Sequence, residues 1–192
     1  MAKQKGIIKL DGTIGGITFY KTTEDGYLAR EKGGVSADKI ANDPAFQRTR
    51  ENGEEFGRAG KAGKLLRNSI RAMLQNASDS RMVGRLTQKM VEVIQEDLTN
   101  PRGQRNVIDG EAELLEGFEF NINGKLGTTL YAPFTGTIDR VAGTLTANIP
   151  AFVPINMLAA PGGATHFKIV SAGAEVDFEN ETFVMDAQAT AV

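Results

Sequence analysis

The feature that most restricts the fold of this chain is a change of hydrophobic period partway along it. Between residues 43 and 98 the apolar and small residues recur at three- and four-residue steps, whereas from Phe118 onward they alternate. The first period belongs to helices and the second to half-buried strands. One chain holding both in separate blocks reads as α+β. Three parts follow: an N-terminal β-meander over residues 1–35, a helical hairpin over 43–98, and antiparallel strands over 118–192.

In the N-terminal part, Ile7, Ile8 and Leu10 lead into an Asp11-Gly12 turn. A second strand runs from Ile14 through Ile17, Phe19 and Tyr20, with Gly15-Gly16 as a bulge or close backbone approach. Glu24-Asp25-Gly26 turns the chain into a third strand at Tyr27–Ala29, and Gly33-Gly34 reads as a hinge. Three short strands bury little and need a further surface to pack on.

Asp43-Pro44 marks a helix start, with Asp as N-cap and Pro at the first helical position. The spacing predicts a helix to about Gln75 whose face carries Phe46, Thr49, Gly53, Phe56, Gly60, Gly63, Ile70 and Leu74. Gly53, Gly57, Gly60 and Gly63 weaken it by about 1 kcal/mol each relative to Ala. The expectation is one kinked or tightly packed helix; the alternative is a break near Gly57–Gly63. Asp79 or Ser80 caps a second helix to about Leu98, with Val83, Leu86, Met90, Val93, Ile94 and, less comfortably, Asp97 along its stripe.

Beyond Phe118 the expected strands are Phe118–Ile122, the hairpin Thr135–Val141/Thr144–Ile149 around Ala142-Gly143, Thr165–Val170 and Glu181–Met185. Their spacing matches an antiparallel β-sandwich. Gly163-Ala-Thr-His-Phe-Lys-Ile-Val170 resembles the third strand of immunoglobulin-like and fibronectin type III domains. Such a sandwich needs about three or four more strands after that one, and the sequence supplies one or two. The sandwich is therefore expected to be incomplete. Either the protein continues beyond Val192 or a partner's strand completes the sheet, since an open edge invites strand addition.

Charge is divided as sharply as periodicity. Residues 43–89 carry ten Lys/Arg against five Asp/Glu, and residues 109–192 carry three against eleven, although the whole chain has a net charge of −2. Such asymmetry reports on partners or on the chain's own other half. With no cysteine and His166 as the single histidine, disulfides, thiolate metal sites, a cysteine nucleophile and a histidine metal cluster within one chain are excluded.

Apparent motifs have plainer readings. Gly57–Lys64 has a spacing one residue too long for a phosphate-binding loop, and Leu65 stands where Ser or Thr would hold magnesium. His166 has no acid or nucleophile motif beside it. Glu111, Glu113, Glu116 and Glu119 read as solvated acids or a basic partner's docking site, and Asp177, Glu179 and Glu181 lack the spacing of a calcium loop. No cofactor is expected. Arg58, Lys61, Lys64, Arg67 and Arg71 form a basic helix ridge. They could follow a nucleic-acid backbone, but neither aromatic interleaving nor a DNA-binding motif accompanies them. The first partner-binding candidates are Ile14, Phe19, Tyr20 and Tyr27 on the N-terminal strands, followed by that ridge.

Lys5-Gly-Ile-Ile-Lys-Leu-Asp-Gly-Thr-Ile-Gly15, Ile17–Lys21, Gly26–Gly33, Asn42–Asn52 and Thr165–Phe178 together resemble a largely uncharacterised bacterial family. The resemblance carries no catalytic residues and implies a chain continuing past the position of Val192. It extends, without a motif of its own, to the plug component of the type 9 protein-secretion translocon. That would imply a non-enzymatic protein-transport subunit occluding the periplasmic mouth of an outer-membrane barrel, with a large membrane-associated complex as partner. Met-Ala-Lys-Gln-Lys-Gly-Ile-Ile lacks the apolar stretch of a secretory signal, and no run approaches the roughly 20 apolar residues of a membrane span. By sequence alone the chain reads as cytoplasmic and not membrane-inserted; the resemblance would place it in the periplasm at the outer membrane.

Overall fold

A computed structural model describes residues 2–190. It is α+β and divides into two compact units, Met1–Arg50 and Glu51–Val192.

The first unit is built on a four-stranded antiparallel sheet of β1 (Ala2–Lys3), β2 (Gly12–Ile14), β3 (Ile17–Thr22) and β4 (Gly26–Glu31), in the order β1-β4-β3-β2. Gly15-Gly16 is the turn of the β2–β3 hairpin, where Ile14 pairs with Ile17, rather than a bulge inside one strand. Gly15 has φ +58°, which a two-residue hairpin turn requires and Gly adopts without strain. Ile7, Ile8 and Leu10 lie outside every strand. The Gln4 side chain diverts this stretch, accepting from the Leu10 N–H at 2.9 Å and donating to the Leu28 carbonyl at 2.9 Å. Ser36 then caps a helix not foreseen in the sequence, α1 (Ala37–Asn42).

Asp43 caps as expected, its carboxylate accepting from Ala45 N–H at 2.9 Å, and Pro44 opens a 3-10 turn (Pro44–Phe46). The chain continues directly into α2 (Gln47–Ser69). The interruption comes at Ile70, before α3 (Arg71–Ala77), and not at the glycines. A Cβ on Gly63 would lie 3.6 Å from Leu86 Cγ, while Gly53, Gly57 and Gly60 face open space. Only one of the four glycines therefore serves close packing. The buried stripe is Glu55, Ala59, Ala62, Gly63 and Ser69, about one position round from the expected face, and Phe56 is 61 % exposed.

Across from α2 runs α4 (Met82–Gln95); Val83, expected on its stripe, is 44 % exposed, and the helix buries Met82 in its place together with Leu86, Met90, Val93 and Ile94. These residues, with Ala59, Ala62, Leu74 and Val107, make the main core. Phe118 and Phe120 pack on it, their two rings edge to face with centroids 5.0 Å apart. Their segment is not a strand: Arg85 and Asp79 bond its backbone at Glu119 O and Ile122 N, where a neighbouring strand would otherwise do so. A 3-10 turn (Ala112–Leu115) precedes it, and two short helices follow, α5 (Leu126–Thr129) and α6 (Pro154–Met157).

The C-terminal strands pair as two hairpins, β5 (Thr135–Asp139) with β6 (Thr144–Asn148), and β7 (Val170–Asp177) with β8 (Thr182–Ala189). Leu145 lies close against Gly173, so the hairpins touch face to face. Among the described residues this replaces the immunoglobulin-like arrangement. Residues 165–169 stay outside the sheet and only Val170 of that expected strand is paired. No helix among the described residues is long and apolar enough to cross a membrane.

Candidate interaction surfaces

Strand register sorts the N-terminal residues between two faces, because directly paired residues share a side. Ile14 pairs with Ile17, Phe19 with Gly12 and Ala29, and Lys21 with Tyr27. Ile14, Ile17, Phe19, Tyr27 and Ala29 therefore share one face. Ile14 and Ile17 are exposed, and Leu28, on the opposite face, is the one buried apolar residue among those described in this unit. Lys9 and Lys21 sit over the Tyr27 ring, at 5.9 and 5.4 Å from its centroid. An open groove lined by Ala2, Gly16, Ile17, Ala29, Arg30 and Glu31 runs beside the same strands. Three of the sequence candidates, Ile14, Phe19 and Tyr27, are thus brought together. Tyr20 is not; it pairs with Leu28 on the reverse face, beneath the Arg30 guanidinium at 5.4 Å.

The basic ridge is less uniform than its spacing implies. Arg58 donates to the carbonyls of Gly103 and Arg105, and Arg67 Nε donates to Gly63 O at 3.1 Å. Lys61, Lys64 and Arg71 are exposed. Arg58 and Lys61 also line a cleft of about 200 Å³ together with Phe178 and Glu181 from the β7–β8 turn. Part of the basic helix thus faces the chain's own acidic half.

Sequence reasoning missed the best-organised polar structure, the loop 97–110. Glu55, buried on α2, accepts from Arg105 Nε and Nη2, both at 2.8 Å, and from Gly103 N–H at 2.8 Å. The Arg105 bonds hold the Glu55 carboxyl below its ordinary pKa, against the opposing effect of burial. Asp97 lies two residues beyond α4, which stops at Gln95 short of the expected Leu98. Burial pushes its pKa up, but N–H donors from Thr99, Asn100 and Asn106 and the Asn100 side chain outweigh that and bring it to about 2. The available signal was Asp97, a carboxylate falling on the expected apolar stripe and followed by an Asn/Arg-rich loop, whereas Glu55 lay off the face that the spacing predicted. Such a carboxylate needs donors.

The remaining acids and the histidine have local roles. Glu111 caps the 3-10 turn through Glu113 N–H, Glu119 accepts from Leu126 N–H, and Asp177 accepts from Glu179 and Asn180 within its own turn. His166 is exposed and bonds Thr165 at 2.8 Å. No group of three metal-ligating side chains converges among the described residues. Neither a family model, nor a curated protein, nor a solved structure matches the chain.

Proposed function

We propose that this chain is a non-enzymatic interaction protein that docks on, caps or plugs a larger assembly through the apolar face of its N-terminal sheet. The observation that carries the reading is the clustering of Ile14, Ile17, Phe19 and Tyr27 on one sheet face, with both isoleucines exposed. A clustered apolar face rimmed by Lys9 and Lys21 has the composition of a protein contact surface. The periplasmic mouth of a type 9 secretion translocon is the assembly that the family resemblance suggests. The internal hydrogen bonds of Arg58 and Arg67 count against the alternative, nucleic-acid binding through the basic helices.

The test is co-purification from the source organism, comparing wild type with Ile14→Asp/Ile17→Asp. A protein partner retained by wild type at raised salt and lost from the variant, with both chains equally folded, supports the reading. Partners retained equally by the variant overturn it. Nuclease-sensitive recovery with a steep salt dependence would move the interface to Lys61, Lys64 and Arg71.

A further inference from the structure

A second surface, sharing only Lys9 with that face, is suited to strand addition. Residues 5–10, Lys-Gly-Ile-Ile-Lys-Leu, have strong strand formers at Ile7 and Ile8 yet occupy no strand. Ile7 is fully exposed and Ile8 is 79 % exposed. When extended, the segment would present Lys5, Ile7 and Lys9 on one side and Gly6, Ile8 and Leu10 on the other.

In the C-terminal unit, β8 pairs with β7 alone among the described residues, and its eight residues leave an outer edge open. It carries none of the Lys or Pro residues that commonly protect an edge. β7 is the less accessible of the two strands, with five of its eight residues at least partly buried against one in β8. From 170 to 190 the acids are Glu175, Asp177, Glu179, Glu181 and Asp186, and there is no Lys or Arg.

The alternation also matches. Asp186 pairs with Gly173, so Val184, Asp186 and Gln188 look toward the β5–β6 side, and Phe183, Met185 and Ala187 look away. An antiparallel strand with Lys9 opposite Asp186 places Leu10 opposite Met185, Ile8 opposite Ala187 and Ile7 opposite Gln188. One opposite-charge pair, Lys9 with Asp186, meets on the side where Ile7 faces Gln188, and apolar groups meet on the other side.

We propose that residues 5–10 of one copy of this chain add as a third strand to the outer edge of β8 in a second copy. Donor and acceptor are different surfaces, so the contact is heterologous and propagates into a ring or an open chain of subunits. The occupant is set by complementarity of charge and alternation, a basic donor against an acidic edge.

Sedimentation of the full chain over a wide concentration range tests this. Wild type is expected to grow past the dimer as concentration rises. Ile8→Pro removes a strand donor at an exposed position outside the sheet and is expected to stay monomeric with an unchanged thermal midpoint. Asp186→Lys reverses the acceptor charge and is also expected to be monomeric. Mixed, the two variants should form a complex that stops at one copy of each, because one retains the acceptor and the other the donor. Wild type monomeric throughout, or Ile8→Pro assembling like wild type, overturns the proposal. A monomer whose amides at 5–10 are protected from exchange also overturns it, by showing that the segment pairs within its own chain. Failure here would leave the reading of the Ile14–Tyr27 face intact, since the two tests alter different residues.

Discussion

Replacing Glu55 with Ala removes the acceptor for three hydrogen bonds at once, and their geometry fixes the expected loss. The Gly103 N–H is buried, and leaving it unpaired costs about 1–2 kcal/mol. The Arg105 side chain is 19 % exposed, so stranding its guanidinium costs less than the roughly 3–5 kcal/mol of a fully buried broken pair, about 2 kcal/mol. The loss of stability at neutral pH should be about 3–4 kcal/mol. Urea unfolding followed by far-ultraviolet circular dichroism reads it, because α2 and α4 dominate the helical signal. The midpoint should fall while the denaturant slope is retained. Glu54→Ala is the control. Its pair with Arg58 is at 4.0 Å between exposed side chains, so its removal should change stability by less than about 0.5 kcal/mol. The pH dependence gives a second readout. Glu55 is depressed below its ordinary pKa, so its contribution is complete above the unfolded carboxylate value of about 4.3 and fades as pH falls through the folded value. Wild type should therefore lose stability on acidification more steeply than Glu55→Ala. Equal losses for Glu54→Ala and Glu55→Ala, or identical acid slopes, would refute the clamp.

Other substitutions test the helix packing. Gly57→Ala and Gly60→Ala meet no atoms within 4 Å and should each stabilise by up to about 1 kcal/mol in the same urea assay. Gly110→Ala would set a Cβ 2.3 Å from the Val93 carbonyl oxygen, and backbone displacement there should destabilise by about 1–3 kcal/mol. Ala59→Leu overfills the fully buried α2 stripe and should lower the thermal midpoint, whereas Phe56→Ser should leave it nearly unchanged. The reverse ranking would restore the face that the sequence spacing predicts.

What could be read without the structure was local. The Asp43-Pro44 start, the Ala142-Gly143 turn and the apolar stripe of α4 depend on residues within one or two turns of each other, where capping, φ preference and period act directly. The α+β class follows from the same periods. In α2 the pattern was ambiguous because glycine and alanine mark two adjacent faces almost equally. The choice fell to Glu55, whose partners Gly103 and Arg105 lie about fifty residues away. The alternating Phe118 and Phe120 were legible as an extended segment, but whether it joined a sheet depended on Asp79 and Arg85 reaching its backbone first. At the candidate surface, Ile14, Phe19 and Tyr27 stood out as apolar strand residues. Alternation along β3 already sets Tyr20 behind Phe19 and Ile17 beside it, and only the pairing register brought Ile14 and Tyr27 to the same face. Turns and stripes are properties of neighbouring residues, so the amino-acid sequence determined them by itself. Buried charges, strand partners and the side of a sheet depend on distant donors and acceptors, and those were decided only when the chain closed on itself.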